Sequence, residues 1–273
     1  MKQASELNDR KPSLLTSTIS GDVNGIATIL GSDLTTTAST QSLAWLAGSL
    51  WLGRPLKSAR LEKALDLALR LLVDHGPYVS GAVNTIITAR AGKDLVSSLV
   101  SGLLTIGPRF GGAINGAASV WFHSVEAGTS PVDVVEDYAK RKAYIPGIGH
   151  RKYSVTLPDP RVEILTKVVE DIAHPYLDFA RQVSSQTTAK KPNLILNVDG
   201  CIAAVLLDLL SKEEHLGSAE ISGLLETEFF NAVFVLSRSV GFIAHYLDQK
   251  RLGEPLFRLP ENEVLTVSSP PLV

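Results

Sequence analysis

Residues 146–161 read Pro-Gly-Ile-Gly-His-Arg-Lys-Tyr-Ser-Val-Thr-Leu-Pro-Asp-Pro-Arg, a stretch in which glycine-rich backbone leads directly into a histidine. The two glycines before His150 carry no Cβ that would block the close approach of a ligand. An imidazole exchanges protons near neutral pH, and guanidinium groups bind carboxylates. His150, Arg151 and Arg161 therefore indicate a site for a small anionic acid. A surface loop with stray basic residues explains this stretch alone equally well.

Composition narrows the class of protein. The chain has 273 residues and a net charge of −2, so its overall field attracts neither nucleic acid nor an anionic membrane. Its only cysteine, Cys201, lies in an apolar run where a structural role is expected. We find no Cys/His cluster with zinc-ligand spacing, no signal peptide and no apolar run of membrane-spanning length. We therefore expect a cytoplasmic protein without a metal site.

Hydrophobic periodicity predicts an all-α or mostly α fold. Residues 57–74 have the clearest amphipathic pattern, and residues 1–40 look like an arm or an irregular lead-in. Further helical runs are predicted at 41–52, 82–106, 112–127, 131–142, 159–186 with a break at His174-Pro175, 192–212 and 218–251. Alternating strand patterns are scarce.

Asp199 is an acid within an apolar run, where a carboxyl group must find hydrogen-bond donors or titrate at a raised pKa. It is therefore a candidate for proton transfer, although a helix-capping role is equally consistent with the residues. His75 follows a predicted helix and could simply satisfy terminal carbonyl groups. Arg238 lies in an apolar helical run and needs an anionic partner, either an internal acid or a ligand.

Several longer motifs carry a family resemblance. They are Asp-His-Gly-Pro-Tyr-Val-Ser-Gly-Ala-Val-Asn-Thr at 74–85, Ala-Arg-Ala-Gly-Lys-Asp-Leu-Val-Ser-Ser-Leu at 89–99, Pro-Gly-Ile-Gly-His-Arg at 146–151, Lys-Pro-Asn-Leu-Ile-Leu-Asn-Val-Asp-Gly at 191–200 and Gly-Phe-Ile-Ala-His-Tyr-Leu-Asp-Gln-Lys-Arg at 241–251. In this order they resemble the C-terminal, citrate-synthase-like module of ATP-citrate lyases and the free-standing citryl-CoA lyases. The lead-in at 10–17 resembles the start of that module.

The resemblance implies a citrate-synthase-like, all-α fold. It implies a large helical domain from residues 1–111 and 213–273, and a smaller CoA-binding domain from residues 112–212. It also implies a homodimer or higher homo-oligomer with a shared active site. The expected reaction is cleavage of (3S)-citryl-CoA to acetyl-CoA and oxaloacetate, with coenzyme A bound only as part of substrate or product. A separate synthetase would supply citryl-CoA, with a place in the reductive TCA cycle.

Site residues are carried over from the resemblance position by position. The implied catalytic groups are His75, which contacts the citrate or oxaloacetate part, His150 at the hydroxyl or carbonyl oxygen, and Asp199, which exchanges a proton with the acetyl methyl carbon. The implied carboxylate-binding residues are Arg151, Arg161, Arg238 and, from the partner subunit, Arg258. The implied CoA-binding residues are Lys140, Arg141, Lys142, Tyr144, Ile145, Gly147, Ile148 and Gly149.

Two residues differ from the pattern of related enzymes, and both differences bear on the expected reaction. Phe110 replaces a histidine that true citrate synthases use at the acetyl-CoA enol, which favours a lyase that leaves the thioester intact. Val83 stands where the animal lyase module has a histidine, so a related enzyme that acts on another 2-oxo acid is an alternative. A non-catalytic CoA-binding module is a second alternative.

Overall fold

The computed structural model describes residues 15–107 and 110–267, and helices make up most of this part of the chain. The helices are α1 (Leu34–Thr40), α2 (Leu43–Leu52), α3 (Ala59–Leu72), α4 (Ser80–Arg90), α5 (Leu95–Leu103), α6 (Ala113–Glu126), α7 (Pro131–Lys140), α8 (Pro160–Thr166), α9 (Pro175–Lys190), α10 (Val198–Lys212), α11 (Ser218–Glu226) and α12 (Phe229–Leu252). The predicted, predominantly helical fold is confirmed.

A small antiparallel sheet corrects the prediction for the N-terminal region. Strands β1 (Ser20–Val23), β2 (Ile26–Ile29) and β3 (Ser32–Asp33) lie in the order β1-β2-β3. The β1–β2 turn is Asn24-Gly25, with φ of 53° and 79°, as a tight two-residue hairpin requires. This Asn-Gly signal was present in a stretch expected to be irregular. The lead-in motif lies partly outside the described residues, which begin at Leu15.

Two predicted long helical runs are each divided by a local stop signal. The run 82–106 divides because Gly92 takes a φ of 87° and Asp94 accepts a hydrogen bond from Ser97 N at 3.0 Å, which caps α5. The run 218–251 divides into α11 and α12 at Glu228, whose φ is 58°. The break predicted at His174-Pro175 is confirmed, because Pro175 begins α9.

The chain forms two compact units. The first comprises Met1–Leu72 with Gly111–Phe234, and the second comprises Val73–Phe110 with Val235–Val273. The sequence analysis predicted a large helical domain and a CoA-binding domain that spans residues 112–212. Those domain boundaries stay a prediction.

Helix α10 is the centre of the first unit. All of its residues from Gly200 to Leu210 are buried, and α3, α6, α8 and α9 pack around it. Such a helix shows no polar face, which explains why the sequence reads as continuously apolar. At its start, Trp121 Nε1 of α6 donates a hydrogen bond to the carbonyl oxygen of Gly200 at 3.1 Å. The first turn of α10 is therefore held in place by its neighbours.

Helix α12 corrects one expectation from composition. Phe229–Leu252 is long and apolar enough to cross a membrane by length and composition alone, with a mean hydropathy of 1.2 in its most apolar window. A single helix of this kind is weak evidence for a membrane span, because the core helix of a soluble protein passes the same test. Phe230, Val233 and Phe242 of α12 are buried, while 39% of the most apolar window as a whole is buried.

Asp208 is a fully buried acid near the C-terminal end of α10, and the sequence analysis did not single it out. Its carboxylate oxygens accept hydrogen bonds from Tyr176 N and Leu177 N, each at 3.0 Å, in the first turn of α9. Burial nevertheless raises the pKa of Asp208 to about 7, because these two backbone donors offset only part of the desolvation of the charge.

The raised pKa makes stability depend on pH. The native state retains a proton on Asp208 that the unfolded chain loses above its ordinary pKa of 3.8, so stability declines as pH rises toward 7. We expect the free energy of unfolding to fall by about 2 kcal/mol between about pH 5.5 and about pH 7.5 through this group. Urea unfolding followed by circular dichroism should show this slope in the wild type and a flatter one in Asp208→Asn.

The matched control is Asp66→Asn, because Asp66 is an exposed acid on α3 that pairs only with Arg70 across one helical turn. This control should keep the wild-type slope. Equal slopes in wild type and Asp208→Asn would show that Asp208 is ionised throughout this range.

Candidate active site

The loop that carries His150 lies directly on the first turn of α10. A Cβ on Gly147 would come within 2.5 Å of the Cα of Gly200, and Gly147 also has a φ of 82°. The sequence analysis expected a ligand to approach these glycines closely. At Gly147 it is the backbone of α10 that makes the close approach. Gly149, with a φ of 98°, turns the chain toward His150.

Asn197 connects this loop to α10 through hydrogen bonds. The sequence analysis did not identify it. Its Oδ1 accepts a hydrogen bond from Gly200 N at 3.1 Å, so Asn197 is the N-cap of α10. Its Nδ2 donates to the carbonyl oxygen of Gly149 at 3.0 Å, and its backbone N–H donates to that of Gly147 at 3.0 Å. An Asn before an apolar run is an N-cap signal, but the loop contacts have no sequence signature.

Backbone hydrogen bonds also connect Gly149 and His150 to the segment that precedes α10. Gly149 N donates to the carbonyl oxygen of Ile195 at 2.7 Å, and His150 N donates to that of Asn193 at 2.9 Å. The side chain of Asn193 returns a hydrogen bond to the carbonyl oxygen of His150 at 3.2 Å. The segment before α10 therefore fixes both the position and the direction of the His150 backbone.

Asp199 is the second residue of α10 and is partly buried. The helix-capping explanation for it is wrong, because Asn197 occupies the cap position two residues earlier. A carboxylate in the first turn of a helix is stabilised by the helix dipole. Its negative charge makes a small contribution to the raised pKa of Arg161, after the larger effects of burial, which lowers that pKa, and of Asp159, which raises it.

His150 has a defined ring orientation. Its Nδ1 accepts hydrogen bonds from Lys152 N and Tyr153 N, both at 3.0 Å, and its ring lies 4.6 Å from that of Tyr153 between centroids. Because Nδ1 keeps its lone pair for these donors, the proton of the neutral ring belongs on Nε2. His150 then presents an Nε2–H donor to a ligand, and Arg161 Nη2 lies 3.4 Å from that atom.

Arg161 is held by Asp159, a second residue that the sequence analysis did not identify. The Asp159 side chain is fully buried and receives Arg161 Nε at 3.0 Å and Nη2 at 2.8 Å. It also accepts Arg161 N at 3.0 Å and so caps α8. Burial acts to lower the pKa of Arg161, but the hydrogen bonds and charge of Asp159 outweigh it, and the net pKa is raised.

The predicted CoA-binding residues lie at the C-terminal end of α7 and in the loop after it, and half of them are exposed. Lys140 pairs with Glu136 at 3.8 Å, while Arg141 pairs with Asp137 and lies over the ring of Tyr138. Lys142, with a φ of 53°, follows the end of α7. In the loop that follows, Tyr144 is exposed, Ile145 and Gly147 are buried, and Ile148 and Gly149 are partly buried. Arg151, a predicted carboxylate-binding residue, is exposed.

The remaining predicted site residues belong to the second unit. His75 is exposed and lies beyond the end of α3, Arg238 is buried on α12, and Arg258 is exposed after α12. The structure thus brings His150, Arg161 and Asp199 together in the first unit. The roles of His75, Arg238 and Arg258 stay predictions.

Cys201 follows Gly200 in α10 and is fully buried. Burial raises the pKa of its thiol to about 12, so it stays protonated and unreactive at neutral pH, as the sequence predicted. Among residues 15–107 and 110–267, no group of three or more His, Cys, Asp or Glu side chains could hold a metal ion.

Comparison with known proteins gives the family. Residues 26–259 match the family model described as citrate synthase, C-terminal domain. The probable ATP-citrate synthase subunit 1 of Neurospora crassa is 46% identical over 258 residues, which is 93% of this chain and 38% of that protein. The chain therefore spans less than half the length of this curated relative.

Solved structures agree with the sequence comparison. An ATP citrate lyase mutant from Methanosaeta concilii in complex with (3S)-citryl-CoA superposes with a TM-score of 0.90 at 39% identity, covering 99% of this chain and 45% of that one. Citryl-CoA lyase from Hydrogenobacter thermophilus gives a TM-score of 0.79 at 25% identity, covering 96% and 97%. The chain has the citrate-synthase-like fold and belongs to the citrate synthase family, as a homologue of the C-terminal module of ATP-citrate synthases.

Proposed function

We propose that the chain is a citryl-CoA lyase that cleaves (3S)-citryl-CoA to acetyl-CoA and oxaloacetate. The observation that carries the proposal is the grouping of His150, Arg161 and Asp199 around the start of α10. This grouping combines a donor for an oxygen, a cation and a carboxyl group, which are the parts that a retro-aldol cleavage of an acidic thioester needs. The likeness to an ATP citrate lyase solved with (3S)-citryl-CoA supports the same substrate.

In the proposed reaction, His150, assisted by His75, acts at the hydroxyl oxygen of citryl-CoA. The hydroxyl proton passes to this histidine pair while Nε2–H of His150 donates a hydrogen bond to the oxygen. The O–H electron pair forms the carbonyl of oxaloacetate, and the breaking carbon–carbon bond leaves its electrons on the thioester enolate. Asp199, which holds a proton at this step, delivers it to the enolate carbon and gives acetyl-CoA. The proton taken up by the histidines is then released and Asp199 takes up another, so the catalytic cycle balances.

The rest of the proposal concerns binding and assembly. We propose that Arg151, Arg161, Arg238 and the partner-supplied Arg258 bind carboxylates, and that the 140–149 segment binds coenzyme A. The exposed positions of Lys142 and Tyr144 leave them accessible to a ligand. We further propose a cytoplasmic homodimer with a shared active site. A related 2-oxo acid in place of oxaloacetate stays the alternative, because Val83 departs from the animal lyase module.

The first test removes the proposed carbon acid. Asp199→Asn should lower the rate of oxaloacetate release from synthetic citryl-CoA by ~10²–10⁴-fold, because an amide cannot exchange the proton. NADH oxidation coupled through malate dehydrogenase reports the product. Asp66→Asn should retain the wild-type rate. A wild-type protein that binds coenzyme A but releases no oxaloacetate would exclude citryl-CoA as substrate and direct the assay to pyruvate and 2-oxobutyrate.

A second test concerns the buried partner of Arg161. Asp159→Asn keeps a good helix N-cap but removes the charged, two-oxygen acceptor that orients the guanidinium group. We expect kcat/KM for citryl-CoA to fall ~10-fold or more, since Arg161 then loses its fixed geometry near His150 and Asp199. The matched variant Asp94→Asn alters an exposed N-cap aspartate on α5 and should leave kcat/KM unchanged. Wild-type kinetics in Asp159→Asn would show that the ion pair does not contribute to catalysis.

The third test concerns the shared site. Arg258→Ala and Asp199→Asn should each be nearly inactive alone. If Arg258 acts in the partner's site, mixed dimers contain one site with both native residues. Unfolding and refolding the two variants together in equal amounts should then restore activity to roughly one quarter of the wild-type value for random pairing. No recovery, with dimers confirmed by light scattering, would place Arg258 in its own subunit's site or outside the site.

A further inference from the structure

The segment that carries His75 packs against α12 within the second unit. A Cβ on Gly241 would lie 2.0 Å from the carbonyl oxygen of Val73, so the backbone of this segment rests directly on the helix. Only a glycine permits this approach. His75, two residues after Val73, is exposed.

The carboxylate of Asp74, the residue before His75, contacts both Gly76, the residue after it, and His245 of α12. Asp74 Oδ1 lies 3.0 Å from His245 Nε2 of α12, and Asp74 Oδ2 accepts a hydrogen bond from Gly76 N at 2.9 Å. Gly76 has a φ of 95°, which supplies the turn that this bond closes. The backbone on both sides of His75 is thus tied, through Asp74, to α12.

The charge state of Asp74 suits this role. Partial burial acts to raise its pKa, but the backbone N–H of Gly76 and the hydrogen bond with His245 outweigh that effect and lower the pKa. Asp74 is therefore ionised at neutral pH and accepts from both partners at once. The side chains of His245 and Asp74 are 17% and 41% exposed, so the contact is largely buried on the histidine side and open to solvent on the carboxylate side.

We propose that His245 is a positioning residue that orients His75 through Asp74, an inference that rests on the proposed lyase function. His245 acts on the backbone that carries His75 and makes no contact with substrate in this proposal. Its removal should therefore alter the placement of a catalytic imidazole more than the stability of the fold.

The kinetic test compares His245→Leu with His245→Gln. Leucine removes the donor, whereas the glutamine amide nitrogen can take the place of Nε2 and donate to Asp74. We expect His245→Leu to lower kcat for citryl-CoA ~10-fold with little change in KM, and His245→Gln to restore much of the loss. Asp248→Asn, on the exposed side of the same helix, is the control and should behave as the wild type.

A double-mutant cycle separates positioning from a general structural role. In a His75→Ala background, the further change His245→Leu should have no additional effect, because its only route to the reaction has been removed. Losses that multiply independently would overturn the proposal, as would equal losses in His245→Leu and His245→Gln.

A measurement without substrate distinguishes this inference from the lyase proposal. Amide hydrogen exchange at Gly76 should be at least ~10-fold faster in His245→Leu than in wild type, and near wild type in His245→Gln. A wild type without lyase activity would exclude the proposed function, while faster exchange would still confirm the link to Asp74. Unchanged exchange in His245→Leu would show that the link is absent, whatever the enzyme's activity.

Discussion

The contact between Gly147 and Gly200 is the constraint on which the site of the first unit depends. Two backbones meet there with no room for a Cβ on either side. The contact places the loop that carries His150 on the first turn of the most deeply buried helix. Helices α3, α6, α8 and α9 pack around α10 and hold it in place. The loop that rests on α10 is therefore held rigidly as well. A catalytic group on a loop can therefore keep a fixed geometry without being buried itself.

The same contact explains why the proposed catalytic groups of the first unit lie near one end of α10. Helix N-termini leave backbone N–H groups that require acceptors, and here Asn197 supplies one while also holding the loop. Asp199 then occupies the first turn, where its negative charge is stabilised. The ring of His150 is oriented by two backbone donors, Lys152 N and Tyr153 N, so its placement depends on the backbone of the loop.

Sequence reasoning found the proposed catalytic groups and missed the side chains that hold them in place. His150, Arg161 and Asp199 stand out because they are titratable or charged residues in glycine-rich or apolar surroundings. Asn197 and Asp159 resemble ordinary caps in the sequence, and their second contacts depend on chain segments brought together only by folding. The long, strongly periodic helix α3 was predicted correctly. The small sheet was missed because its strands are only two to four residues long. Asp208 carries the same signal as Asp199, an acid within an apolar run, and was overlooked.

Charge pairing within the first unit has a consequence for substrate binding. Asp159 takes two of the donors of Arg161, and the pair is neutral overall, so Arg161 contributes orientation and a local dipole more than net positive charge. Arg141 and Lys140 also face acids on their own helix, although those exposed pairs are weak and can exchange partners. A substrate with several carboxylate and phosphate groups needs more positive charge than this. In the proposal, the remaining positive charge comes from Arg151, Arg238 and the partner-supplied Arg258, which the family resemblance implies.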